Sequence, residues 1–334
     1  LSGPIIKEKA SACAVFILMT FIPESHMTRN YQPGGEPASD PISNPSRYSQ
    51  KPLRGLLIIF AALAVCMFIV GFILYGILKL PQEFSDSNAL STVILFTACN
   101  IIAYLFVPYF LRIPNGRRRF REYLSDIGLI CIQPFSRLLF LTISCLLILI
   151  LCQGSGSLVY RMMEGKPLTV DFIKNVFDLS LALPPKSILL FTVFYSMFEE
   201  VCFRGVFLTM LLHKYSQFKA ILYSALAFGI FHIFAVFAGG ELVNTIAQVV
   251  WAFLFGIFYG YIFVKTGSLW PSMIIHWLSN VFQSSLTAYW LSAPLFERVL
   301  YGIIFGYGLA SLLSIFWVRF YSSKWLIPRK PGLN

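Results

Sequence analysis

Three ionisable side chains crowd into one short stretch that is otherwise apolar: Phe198-Glu199-Glu200-Val201-Cys202-Phe203-Arg204-Gly205, inside a run bounded by Lys186 and Lys214. Glu200 and Arg204 are spaced i, i+4 with the acid first, so a helix puts them on one stripe where they neutralise each other. Glu199 points about 100° away around the same helix and finds no partner within its own segment. An ionisable group deep in a bilayer costs at least ~2.5–3.5 kcal/mol on insertion scales. A structural ion pair accounts for Glu200 and Arg204 and leaves Glu199 without a reason.

Two other apolar runs carry polar groups suited to that carboxylate. One reads Phe228-Gly229-Ile230-Phe231-His232, and the other His276-Trp277-Leu278-Ser279-Asn280, in which His276 and Asn280 are i, i+4 neighbours on one face. Taken singly, either histidine reads equally well as a hydrogen bonder between packed helices. Depth changes that reading. At 1.5 Å per residue, Glu200 lies roughly 21 Å from Lys214, His232 roughly 20 Å from Lys219, and Asn280 roughly 18 Å from Ser268. Acid, imidazole and amide groups therefore reach similar depths from separate helices.

Such a set suits hydrolysis. A carboxylate beside an imidazole takes a proton from water, while a second imidazole and an amide donate to the oxyanion that develops on an attacked carbonyl. Glu199, His232, His276 and Asn280 are the catalytic candidates, and Glu200 and Arg204 support them. Glu199, His232 and His276 would also be the ligands if the site held zinc. No H-E-x-x-H is present and the candidate ligands come from separate helices, so zinc is possible but not required.

The elements that must carry these groups follow from composition. Of 334 residues, 57% are hydrophobic and 12% charged, about half the charge of a soluble domain, and mean hydropathy is +0.73. These values exclude a soluble enzyme and predict an all-α polytopic membrane protein. Eight apolar stretches are long enough to cross a bilayer: Gly55–Leu80, Ala89–Leu111, Leu138–Val159, Ser187–Leu212, Ala220–Ala238, Leu242–Val264, Leu269–Trp290 and Val299–Val318. A basic, amphipathic stretch from Gly116 to Pro134 reads as a helix lying on the membrane surface.

Three regions result: an N-terminal tail over 1–52, rich in Pro, Ser, Asn and Gly from Asn30 onward and largely disordered; a transmembrane domain over 53–320; and a basic C-terminal tail over 321–334. With both tails cytoplasmic, sixteen Lys and Arg face the cytoplasm and six face the other side, as the positive-inside rule requires. The net charge of +11 is thus spent on topology rather than on a nucleic-acid surface. The seven cysteines form neither a C-x-x-C pair nor a His/Cys cluster and read as buried apolar residues.

In chain order, Glu199 to Arg204 matches E-E-x-x-x-R, Phe228 to His232 matches F-x-x-x-H, and His276 to Asn280 matches H-x-x-x-N. Over roughly 187–290 these resemble the three motifs of the CPBP family (CAAX-processing and bacteriocin-processing, or Abi, intramembrane endopeptidases), of the type 2 CAAX prenyl protease kind. The resemblance implies an eight-helix fold with its site open to the cytoplasmic side. It further implies that Glu199 and His232 activate water, that His276 and Asn280 form the oxyanion pocket, and that Glu200 and Arg204 support the site. The family is often labelled metalloprotease, whereas better-understood members resemble glutamate-dependent proteases. The implied partners are a protein or peptide substrate, lipidated in some relatives, and the surrounding lipid; the implied location is a bacterial inner membrane. Two other readings remain open: a proton-coupled transporter using Glu199 and His232 as a relay, and a catalytically silent immunity or scaffold protein of the same fold.

Overall fold

Apolar runs of this length can satisfy their backbone groups in lipid only as helices or closed barrels, and every regular element among the described residues is helical. The computed structural model describes residues 46–73, 86–116, 119–182, 186–291 and 293–326. Most of the proposed N-terminal tail (1–45) and the end of the C-terminal tail (327–334) lie outside the described residues, as does the end of the first apolar stretch.

The chain runs through α1 (Pro52–Gly71) and α2, which spans Asp86–Ile101, widens to π-helix over Ile102–Phe106 and closes with Val107–Phe110. Short α3 (Phe120–Asp126), long α4 (Phe135–Met163) and short α5 (Val170–Phe177) follow. Helix α6 spans Lys186–Glu200 and continues as π-helix over Val201–Leu208, then as α-helix over Thr209–Leu212. Next come α7 (Gln217–Phe231), ending in a 3-10 stretch over His232–Ala238, then α8 (Leu242–Thr266), α9 (Trp270–Leu286) and α10 (Ala288–Leu291). Helix α11 spans Leu295–Tyr301, a π-helical Gly302–Gly308, Leu309–Tyr321 and a last π turn over Ser322–Leu326.

The predicted stretches fall on helices over their described residues, the seventh, Leu269–Trp290, being divided at Thr287 between α9 and α10. By length and composition six of these could cross a membrane, namely α1, α2, α4, α7, α8 and α11. The other two, α6 and α9, carry the first and third motifs: α6 is made less apolar by Glu199, Glu200 and Arg204, and α9 has only 17 residues, Ser272, His276, Ser279 and Asn280 among them. Outward faces are apolar, with Phe68, Phe110 and Leu151 exposed, as expected where the solvent is hydrocarbon.

Helix α8 is the hub. Phe255, Phe258, Tyr259, Ile262 and Phe263 are buried along it, and its small residues allow close approach. A Cβ on Gly256 would stand 2.9 Å from Ala225 Cα on α7, a backbone atom that cannot step aside. Gly256→Val should therefore wedge α7 off α8 and lower stability by about 1–3 kcal/mol, read as a drop in the unfolding midpoint of the detergent-solubilised protein. On α11 the reason for glycine is different. A Cβ at Gly302 would overlap Trp251 Nε1, and one at Gly306 would meet the Trp290 ring at 3.1 Å.

The Gly116–Pro134 segment departs from expectation. Among its described residues only Phe120–Asp126 is helical, and Tyr123, Asp126 and Ile127 are buried against the rest of the chain. Gly128 turns the chain at φ +76°, where a side chain would be strained. The Gly128 carbonyl then accepts from Leu269 N at 3.0 Å, and the Leu129 carbonyl accepts from Trp270 Nε1 at 2.8 Å. The segment docks at the α8–α9 turn and on the π stretch of α6, where a Gly205 Cβ would stand 3.1 Å from the Ile127 carbonyl oxygen. Its arginines suggested a lipid surface, but backbone carbonyls satisfied by α9 outweigh that preference. Residues 46–51 are likewise packed: Ser49 Oγ donates to the Pro114 carbonyl, and Lys214 Nζ donates to the Gln50 carbonyl at 3.0 Å.

Candidate active site

The π stretch of α6 sets the site. Glu199 and Glu200 close the α-helical part, and Val201–Leu208, all buried, follow with a wider turn. A π turn leaves carbonyls poorly matched, and such turns recur at functional sites. Here the Phe203 carbonyl accepts from Ser224 Oγ on α7 at 2.8 Å. Ser196, Glu200 and Arg204 form an i, i+4 stripe, and all three are fully buried.

Arg204 Nη1 donates to Glu200 Oε1 at 3.0 Å. The rest of the guanidinium lies over aromatic faces, 4.1 Å from the Phe228 centroid and 5.2 Å from that of Tyr259. Cation–π attraction replaces hydrogen bonds there, since Nε and Nη2 have none. His276, from α9, reaches the same carboxylate: Nδ1 lies 2.9 Å from Glu200 Oε1, and Nε2 lies 3.5 Å from Glu199 Oε2. An ionised carboxylate can only accept, so the Nδ1–H donates to Glu200 and Nε2 faces Glu199. The imidazole thereby bridges the two glutamates.

Glu199 is 3% exposed, and neither oxygen has a hydrogen bond of good geometry. Tyr195, one turn earlier on α6, is within reach of it. Accepting capacity held in a dry interior is costly unless it is used, and it is what a general base needs. Asn280 Nδ2 donates to Ser196 Oγ at 3.1 Å; an amide carries two N–H groups, so one remains for an oxyanion.

His232 stands apart from this pair. Its Nδ1 lies 2.9 Å from the Phe228 carbonyl one turn back, so Nδ1 carries the hydrogen and Nε2 is the free ring nitrogen. Its ring meets the edge of Phe228 at 4.8 Å, and Phe228 touches His276 at 5.8 Å and Arg204. His232 thus joins the cluster through a shared aromatic ring, whereas the imidazole in contact with Glu199 is His276. Of the six residues singled out by spacing, Glu199, Glu200, Arg204 and His276 form one contact set, with Asn280 on the same stripe through Ser196.

Zinc would need three donors facing one point. Among the described residues no group of three or more His, Cys, Asp or Glu is assembled to hold a metal. Glu200 Oε1 already accepts two hydrogen bonds, and the His232 Nδ1 is engaged by its own helix. Of the set Glu199, His232 and His276, Glu199 Oε2 and His276 Nε2 stand 3.5 Å apart, and Nε2 is the open nitrogen of His232.

Sequence spacing could have found Ser196, which lies on the Glu200–Arg204 stripe, and Tyr195, which lies one turn before Glu199. Nothing in the sequence marks Tyr259. Its ring stacks on His276 with centroids 5.1 Å apart at 26°, and its hydroxyl meets Ser279 Oγ at 3.3 Å.

Residues 182–282 match the family model described as type II CAAX prenyl endopeptidase Rce1-like. The matched segment contains all six motif residues and is consistent with the CPBP family of CAAX proteases. No curated protein and no solved structure matches the chain. The matched family is one of proteases, and with six apolar helices long enough to span, the chain is an integral membrane protein.

Proposed function

We propose that the chain is an intramembrane endopeptidase in which glutamate and histidine activate water, without a step that needs metal. The observation that carries this reading is the buried Glu199 carboxylate, poor in hydrogen bonds and set against an imidazole that Glu200 and Arg204 hold in place.

Glu199 accepts a proton from water as its oxygen attacks the peptide carbonyl carbon. His232 Nε2, the unprotonated nitrogen of the neutral ring, is a second acceptor on the same water. The carbonyl oxygen becomes an oxyanion, to which the second Asn280 N–H donates. Collapse breaks the C–N bond, and the proton held on Glu199 passes to the leaving amine, with His276 Nε2 as the atom able to exchange it. One product gains the hydroxyl and the other the hydrogen, so the step balances. Asn280→Ala should lower kcat by about 10²–10³-fold with a smaller change in KM, the loss expected for one oxyanion donor; a kcat within twofold of wild type would remove Asn280 from that role.

The substrate bond lies near a C-terminus or in a membrane-proximal segment. A prenylated CAAX-type C-terminus is the substrate that best fits the matched family, and the basic residues support cytoplasmic termini. The test uses purified protein in liposomes with farnesylated and unmodified CAAX-type peptides, read by mass spectrometry. Release of the last three residues from the farnesylated peptide supports the proposal. Proton-coupled uptake of a solute without cleavage would instead assign Glu199 and His232 to a transporter.

A further inference from the structure

We propose that Tyr259, on α8 and outside all three motifs, is a positioning residue that fixes the ring plane of His276, and with it the nitrogens that face the two glutamates. The inference rests on the catalytic reading above for its consequence, but its geometry stands independently.

An imidazole on a tetrahedral carbon has a broad, roughly two-fold torsion about its Cβ–Cγ bond. A half-turn would put ring carbons where Nδ1 and Nε2 now stand and break the contacts to Glu200 at 2.9 Å and Glu199 at 3.5 Å together. The hydrogen bond to Glu200 fixes one atom and leaves the ring free to tilt about it. A second restraint is needed, and the Tyr259 face supplies it, lying nearly parallel to the imidazole at 26° and 5.1 Å. Phe228 closes the edge at 86° and 5.8 Å.

Tyr259 is itself held. It is fully buried, and its hydroxyl meets Ser279 Oγ, which donates to the His276 carbonyl at 2.8 Å. The ring and the hydroxyl therefore both return to α9, one to the His276 side chain and the other to its backbone. Arg204 also lies over this ring, at 5.2 Å, so one aromatic face contacts two members of the charged cluster. Tyrosine is costly at such a position if packing is all it provides, because a buried hydroxyl must find a partner.

The test uses the four histidines, His26, His213, His232 and His276. Protein labelled with 15N only at histidine, in detergent or liposomes, gives ring-nitrogen signals that report which nitrogen carries the hydrogen, and His276→Gln identifies the signals of His276. Wild type and Tyr259→Phe, which keeps the ring, should show a single His276 form with hydrogen on Nδ1. Tyr259→Leu should show exchange between forms, with kcat about 10–100-fold lower and KM little changed, as expected for a misplaced reacting group. Tyr259→Met is the second non-aromatic variant if the leucine protein does not fold. A wild-type nitrogen pattern in the folded leucine or methionine protein, or a loss in Tyr259→Phe as large as in Tyr259→Leu, would overturn the proposal. The nitrogen signals need no turnover, so they test positioning even if cleavage is never observed, while Glu199→Gln tests the protease reading separately.

Discussion

Glu199→Gln should abolish peptide cleavage while leaving the protein folded. The amide has nearly the shape of the carboxylate but cannot take a proton from water. General-base catalysis is worth about 10²–10⁴-fold, and the expected loss in kcat is of that size, with His232 Nε2 the acceptor left for the water. Stability should hold or rise, since a buried carboxylate with poorly satisfied oxygens is replaced by a neutral group. The assay compares turnover of the farnesylated peptide with the unfolding midpoint of the same preparations. Turnover within tenfold of wild type would show that the base lies elsewhere.

Arg204→Ala should have the largest effect on stability. Glu200 and Arg204 are both fully buried and meet at 3.0 Å. Removing one partner strands the other, and a broken buried pair costs about 3–5 kcal/mol, a large part of the ~5–15 kcal/mol that holds a typical protein folded. Two further losses add to this: the guanidinium no longer covers the Phe228 and Tyr259 rings, and a cavity replaces it. The double variant Glu200→Leu/Arg204→Met removes both charges and fills the space, and should recover most of the midpoint. It should not recover activity, because His276 Nδ1 then has no acceptor. An Arg204→Ala protein that melts with wild type would show that the pair is not the anchor inferred from its burial.

These two variants separate what the cluster does for chemistry from what it does for folding. Glu199 is poorly satisfied and should be dispensable to the fold, whereas Glu200 is doubly engaged and should be costly to remove while Arg204 stays. Adjacent residues of identical type take opposite roles because a helix turns by about 100° between them. One points along the Ser196–Arg204 stripe into the packed core, and the other points toward Tyr195 and the Nε2 side of His276.

That division was legible in the sequence. Residue spacing within a helix is local, so Glu200–Arg204 and His276–Asn280 could be placed on shared stripes before any tertiary contact was known. The apolar runs likewise marked helices, six of them long and apolar enough to span, because lipid leaves the backbone few alternatives. What residue order left open was which helices meet and how each is rotated about its axis. The pairing of Glu199 with His276 instead of His232 depends on α6 and α9 facing each other, and His232 turns its Nδ1 to its own helix where α7 ends. Tyr259 carries no signal of its own, since an aromatic residue in an apolar helix reads as packing. The docking of Ile127 and Gly128 was hidden for a related reason: charge patterning pointed to a surface, while unpaired backbone groups at the start of α9 required a partner from elsewhere in the chain. Local periodicity decided the stripes; close packing at positions such as Gly256 and Gly205, which sets the approach and rotation of whole helices, decided which stripes converge.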